Sequence, residues 1–244
     1  MSTPPLFFLD GVPLVDVVLL TGDEGRHAGQ VLRVRPGEPV WLSDGRGALL
    51  ECTVRDTRPD GVVLRVDVRR EVPRPDPQLI VVQALPKGDR GELAVEVMTE
   101  AGVDAVVPWA ASRCVTQWRG ERGAKSLAKW RSTAREAAKQ ARRLRFPDVA
   151  EPVTTRQLLP LLAAADFAAV LHEEGAAPLA TAPLPAAGSI VLVVGPEGGV
   201  APEELAAFAE AGAAAYRLGP TVLRTSTAGV AAVSVLLART GRWG

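Results

Sequence analysis

The spacing of apolar and polar residues changes character near residue 78. Up to there, short apolar runs are separated by turn-forming pairs. Runs at 40–42, 49–54 and 62–68 flank Asp44-Gly45 and Asp60-Gly61, dipeptides that suit tight β-hairpin turns. In the last run Val62, Leu64, Val66 and Val68 alternate with Val63, Arg65 and Asp67, the two-residue period of a half-buried strand. Short strands at this spacing predict a small β-barrel. Val72-Pro73-Arg74-Pro75-Asp76-Pro77 follows. Prolines at alternate positions lack the N–H that a sheet interior needs and favour a stiff, extended spacer. Residues 1–72 therefore read as one domain, 73–77 as a linker and 78–244 as a second domain.

Beyond the linker, strand-like runs alternate with helical ones. The pattern predicts strands at 79–85, 104–108, 167–171, 190–194 and 213–217. It predicts helices at 92–101, 126–143, 202–211 and 227–240. Gly102 stops the first helix, Ser126 is a fitting N-cap for the second, and Pro202 stands at an early helical position of the third. The Ala- and Pro-rich stretch 176–188 reads as a loop. Strands alternating with helices predict an α/β domain around a parallel sheet.

Two glycine-punctuated loops stand out in this second domain. Gly195-Pro196-Glu197-Gly198-Gly199 and Leu218-Gly219-Pro220-Thr221-Val222-Leu223-Arg224-Thr225-Ser226-Thr227 each follow an apolar run that reads as a buried strand, and each feeds a helix. In open α/β sheets ligands sit where strand C-termini meet such loops. Either loop alone is compatible with an ordinary βα turn; two together point to one shared pocket. A phosphate cradle would carry Lys and Ser/Thr after its glycines, or the G-x-G-x-x-G spacing. The stretch Gly195 to Gly199 has neither, and an acid, Glu197, occupies it. That disfavours a nucleoside polyphosphate and suits a cationic ligand such as the sulfonium S-adenosylmethionine. Glycines let backbone groups approach such a ligand closely, because no Cβ intervenes.

Net charge is zero, which by itself argues against nucleic acid, but the distribution changes that picture. From Arg119 to Arg145 there are ten basic residues against Glu121 and Glu136, a local +8. Segregated charge makes a positive field that attracts phosphates even on a neutral molecule. A solvated helix face is the plainer alternative, yet the acids expected at i,i+4 are nearly absent. No apolar run is long enough to span a membrane, and the N-terminal residues do not pattern as a secretory leader. Cys52 and Cys114 read as free thiols of a reducing cytoplasm, and the scattered His and Cys residues offer no metal-ligand spacing.

The two loops, with Leu223-Arg224-Thr225-x-Thr227-Ala228, resemble those of the SPOUT methyltransferases, most nearly the RsmE-type small-subunit ribosomal RNA uridine-N3 enzymes. The likeness extends over His27-x-x-Gln30-Val31-Leu32-Arg33, Lys87, Glu100-x-Gly102, Pro108 and Glu136-x-x-x-Gln140. One departure is Ser226, where the family often carries Glu, so no role of that carboxylate transfers here. The resemblance implies a PUA-like RNA-binding domain, a deep trefoil knot in the second domain, a homodimer formed through that domain, S-adenosylmethionine as methyl donor without a metal, and small-subunit (16S) RNA on the 30S particle as substrate. It implies a donor pocket from Leu171, Gly195, Pro196, Glu197, Gly198, Gly199, Leu218, Gly219, Leu223, Arg224, Thr225 and Thr227.

N3 of uracil is protonated at neutral pH, and its loss of a proton spreads charge onto the flanking carbonyls, where a cation is stabilising. Arg224 is expected either to be that cation or to hold an RNA phosphate, unless it pairs structurally with Glu197. For the proton acceptor Glu197, Glu136 and solvent remain open. Arg33, Lys87, Arg113, Gln140, Arg142 and Arg143 are the expected RNA contacts. Trp41, Trp109, Trp118 and Trp130 suit either base stacking or, with more weight, the core. Two competing functions are a SPOUT methyltransferase of transfer RNA or of a ribose 2′-hydroxyl, and a non-catalytic RNA-binding assembly protein.

Overall fold

The structure, a computed structural model, describes residues 4–244; residues 1–3 of the segment read for a leader lie outside them. Two compact units emerge: residues up to Arg74 with Arg142–Phe146, and Pro75–Ala141 with Pro147–Gly244.

The first unit holds β1 (Leu6–Phe8), β2 (Val17–Leu20), α1 (Gly22–Arg26), β3 (Pro39–Ser43), β4 (Ala48–Arg58) and β5 (Gly61–Glu71). Its sheet runs β1-β3-β4-β5-β2. The β4/β5 ladder is offset at Glu51/Cys52 and Val54/Asp56, and such bulges bend and twist a strand, curling the sheet around Phe7, Leu20, Leu42, Leu50, Val54, Val62 and Leu64. The second bulge, opposite Val63, also breaks the expected alternation: Val63 is buried, and Val68 is 39% exposed. Arg142–Phe146 joins this unit through Phe146 N–H, which donates to Gly45 O (2.8 Å), and through the Arg145 guanidinium, which donates to Val72 O (2.7 Å), Glu71 (2.8 Å) and Arg46 O. A boundary drawn along the chain could not include this segment.

The second unit contains β6 (Gln78–Ala84), α2 (Arg90–Ala101), β7 (Ala105–Ala110), α3 (Gly120–Gln140), β8 (Asp148–Val149), β9 (Val153–Thr154), α4 (Thr155–Ala164), β10 (Phe167–Leu171), β11 (Ala177–Pro178), β12 (Ser189–Val194), α5 (Pro202–Glu210), β13 (Ala214–Arg217) and α6 (Thr225–Arg239). The strands order as β11-β13-β10-β12-β6-β7-β8, with β9 also on β7, and every pairing is parallel. β6 and β12 occupy the middle. Val81, Val82 and Val191–Val193 are fully buried, as a sheet covered on both faces requires. From β6 the chain steps outward to β7, β8 and β9, then crosses to β10 and returns to β12. The order therefore reverses between β6 and β12, where such sheets bind their ligands.

Several expectations change. α3 begins before Ser126, which lies inside the helix and donates its hydroxyl to Arg122 O (3.1 Å); Arg119, in an extended conformation, is the N-cap. α3 also ends at Gln140, and Arg142 has φ 53°, a left-handed backbone that no helix continues through. α4 was not predicted, although Thr154 and Gln157 form a capping box at its start. The supposed loop 176–188 contains β11 and a 3₁₀ turn, with Leu179 and Ala182 buried. β13 is not a buried strand: Ala214, Ala215 and Arg217 are exposed. α6 packs against α2, and a Cβ on Gly229 would stand 2.6 Å from Met98 Sδ, so the close approach requires glycine.

Candidate functional site

At the reversal point Gln83 of β6 lies in register with Val194 of β12. Just past these two residues the strands end, and the first glycine loop begins. Gly199 N–H donates to Pro196 O (2.9 Å), closing a tight turn in which Gly199 takes φ 73°, a conformation glycine adopts at no steric cost. The Glu197 carboxylate accepts from Lys87 N–H (3.1 Å) and lies 3.6 Å from the Arg90 guanidinium. Arg113 donates to Gly198 O (3.0 Å). The loops after β6 and β7 are thus tied to the loop after β12. Basic side chains do reach this loop, from elsewhere in the fold, but Arg90 is held by Glu197 and Arg113 by a carbonyl. Glu197 therefore has its ion-pair partner in Arg90, not in Arg224.

The second loop meets the first through one hydroxyl. Thr225, the first residue of α6, donates to Gly195 O (2.8 Å) and accepts from Gln83 Nε2 (3.0 Å). Thr225 and Ser226 are buried, so a carboxylate at position 226 would sit in a dry setting, whereas Gly219, Pro220, Val222, Leu223, Arg224 and Thr227 are exposed. Arg224 caps α6 in an extended conformation, and its carbonyl accepts from Thr227 N–H (2.9 Å). Leu171 ends β10 in register with Tyr216 of β13 and, like Leu218, is half-buried.

Of the expected RNA contacts, Lys87 and Arg113 stand at the glycine loop. Gln140 and Glu136 instead line a cavity of about 320 Å³ between α2 and α3, with Glu96, Glu100 and Lys129. Arg33, Arg142 and Arg143 belong to the first unit. The basic run has acidic partners after all, supplied by other elements: Lys129 pairs with Glu92 (3.2 Å), and Arg131 with Glu151 (3.0 Å). Trp109 and Trp130 are core residues at 0% and 2% exposure, and Trp118 packs edge-on against Trp130. His27 packs edge-on against Phe7.

A buried carboxylate escaped the sequence reading. Glu204 accepts from Ser112 N–H (2.8 Å), Thr155 Oγ1 (2.7 Å) and Ala201 N–H (3.2 Å), joining the loop after β7 to α4 and α5. Only the acid in the first turn of a proline-led helix hinted at it.

The chain that forms these loops matches the family model of the RNA methyltransferase domain over residues 73–237, and that of the RNA methyltransferase PUA domain over 20–67. Ribosomal RNA small subunit methyltransferase E of Mycobacterium tuberculosis is 47% identical over 243 residues, covering 98% of this chain and 93% of the relative. The Bacillus subtilis protein of that name is 30% identical, covering 89% and 88%. The crystal structure of that enzyme from Neisseria gonorrhoeae, bound to S-adenosyl methionine, is 29% identical and superimposes with a TM-score of 0.82, covering 97% of this chain and 98% of the other. The chain belongs to the ribosomal RNA small subunit methyltransferase E family.

Proposed function

We propose that the protein methylates N3 of a specific uridine in small-subunit ribosomal RNA, on the assembled 30S particle, with S-adenosylmethionine as donor. The observation that carries this reading is the Thr225–Gly195 hydrogen bond (2.8 Å), which brings the two loops together at the sheet's reversal point. The glycine-rich backbone of the loops suits a sulfonium nucleoside. A Cβ on Gly219 meets nothing within 4 Å, so the second loop borders open space. The sequence-predicted donor residues from Leu171 to Thr227 are those we assign to it.

The donor supplies an electrophilic methyl carbon. The chain's own contribution is to orient the acceptor base and stabilise the charge that forms on it. Arg224, exposed at the N-cap of α6, offers its guanidinium to the uracil carbonyl oxygens as N3 loses its proton. Glu197 positions the loop, since its carboxylate already accepts from Lys87 N–H and pairs with Arg90; the proton leaves to solvent. Arg33, Lys87, Arg113, Gln140, Arg142 and Arg143 contact the RNA, aided by the curled N-terminal sheet. The reading includes the trefoil knot, a homodimer built on the second unit, and action in the cytoplasm; among the described residues no helix is long and apolar enough to cross a membrane.

Mass spectrometry of small-subunit RNA from cells with and without this chain tests the proposal. Loss of one N3-methyluridine, restored by complementation, is expected. A missing transfer RNA or 2′-O-methyl mark instead would overturn the substrate assignment.

A further inference from the structure

Gln83 is polar, fully buried, and set among apolar neighbours in the middle strand of the sheet. Its amide nitrogen donates to Ala84 O (3.1 Å) and to Thr225 Oγ1 (3.0 Å), while its Oε1 has no hydrogen-bond partner. An unmade bond in a buried amide is costly, so apolar packing does not account for a glutamine here; the two bonds its nitrogen donates do.

What the amide does is fix a hydroxyl. Thr225 Oγ1 receives the Gln83 N–H and so must turn its own hydrogen toward Gly195 O, 2.8 Å away. Gly195 precedes Pro196, so the peptide between them has no N–H. Its carbonyl is the one polar handle by which that peptide plane can be held. Gln83 through Thr225 thus sets the orientation of the first peptide of the glycine loop and its distance from the start of α6.

We infer that Gln83 is a positioning residue for the methyl-donor pocket: buried beneath both loops, it fixes their relative placement without touching donor or RNA. This rests on the donor pocket proposed above. The test compares wild type with Q83L, Q83N and T225A, measuring S-adenosylmethionine affinity by calorimetry, RNA affinity by filter binding, and thermal midpoint. Q83L is expected to stay folded at the assay temperature and to keep its RNA affinity, yet to bind the donor about tenfold more weakly, equivalent to about 1.4 kcal/mol. T225A removes the same link from its other end and should weaken donor binding to a similar degree. Q83N keeps the amide but is one methylene short of Thr225, and should behave as Q83L does. Unchanged donor affinity in Q83L would overturn the inference, as would a loss that merely tracks a lower melting temperature. If wild type itself fails to bind the donor, the pocket assignment falls instead, and the two failures are distinct.

Discussion

Replacing Gly219 by valine separates the pocket from the fold that carries it. A Cβ at this position meets no atom within 4 Å, and its φ lies outside the left-handed region. The substitution should therefore change stability by no more than a typical surface change, about 0.5 kcal/mol. If the space beside Gly219 is the donor site, an isopropyl group enters it, and a ligand that must shift by a methyl's width loses its contacts with both loops. A hundredfold loss of S-adenosylmethionine affinity, about 2.7 kcal/mol, is the least we expect. Gly195→Val is the contrasting variant. There the Cβ would stand 2.9 Å from Val200 Cγ2, so overpacking should cost about 1–3 kcal/mol of stability as well. Calorimetry with the donor and a thermal melt on each variant give both quantities. G219V with wild-type affinity would refute the pocket, and G219V that melts like G195V would refute the reasoning from open space.

Substituting Arg142 and Arg143 together by Ala should weaken RNA binding and shallow its log-salt slope by about 1.4–1.8, read from binding isotherms at several salt concentrations; Arg145 is excluded because it fastens its segment to Glu71 and Val72. Arg242→Ala should destabilise the second unit by about 3 kcal/mol in urea melts, because Arg242 donates to both oxygens of buried Asp104 (2.6 and 3.1 Å) and to Gly102 O (3.1 Å). Cys52 should resist thiol reagents at pH 8 in the folded protein and react on unfolding, since burial first, and Asp67 second, push its thiol up to about 11. The same shift makes folding stability fall as pH rises from about 9 toward 11, and a stability that stays level across that window would contradict the assignment.

The sequence made some parts of this molecule legible because local rules govern them. The hydrophobic runs at 190–194 and 79–85 became β12 and β6 within a residue, since strands buried on both faces need unbroken apolar sequence. Gly102 and Pro202 marked their helix ends for equally local reasons. What escaped was settled at a distance. Arg142–Phe146 belongs to the first unit through contacts with residues 45, 46, 71 and 72, and the salt-bridge partners of Lys129 and Arg131 come from other elements rather than from one helical turn away. The site divides in the same way. Its glycine loops carry a local signature that the sequence displays directly. Gln83 carries none, because a lone glutamine in an apolar run reads only as a flaw in a strand. Its meaning lies in Thr225, 142 positions further along the chain, and no periodicity links the two. A polar residue interrupting a central strand at its C-terminal end, in a sheet whose order reverses there, is the pattern that would have pointed to it.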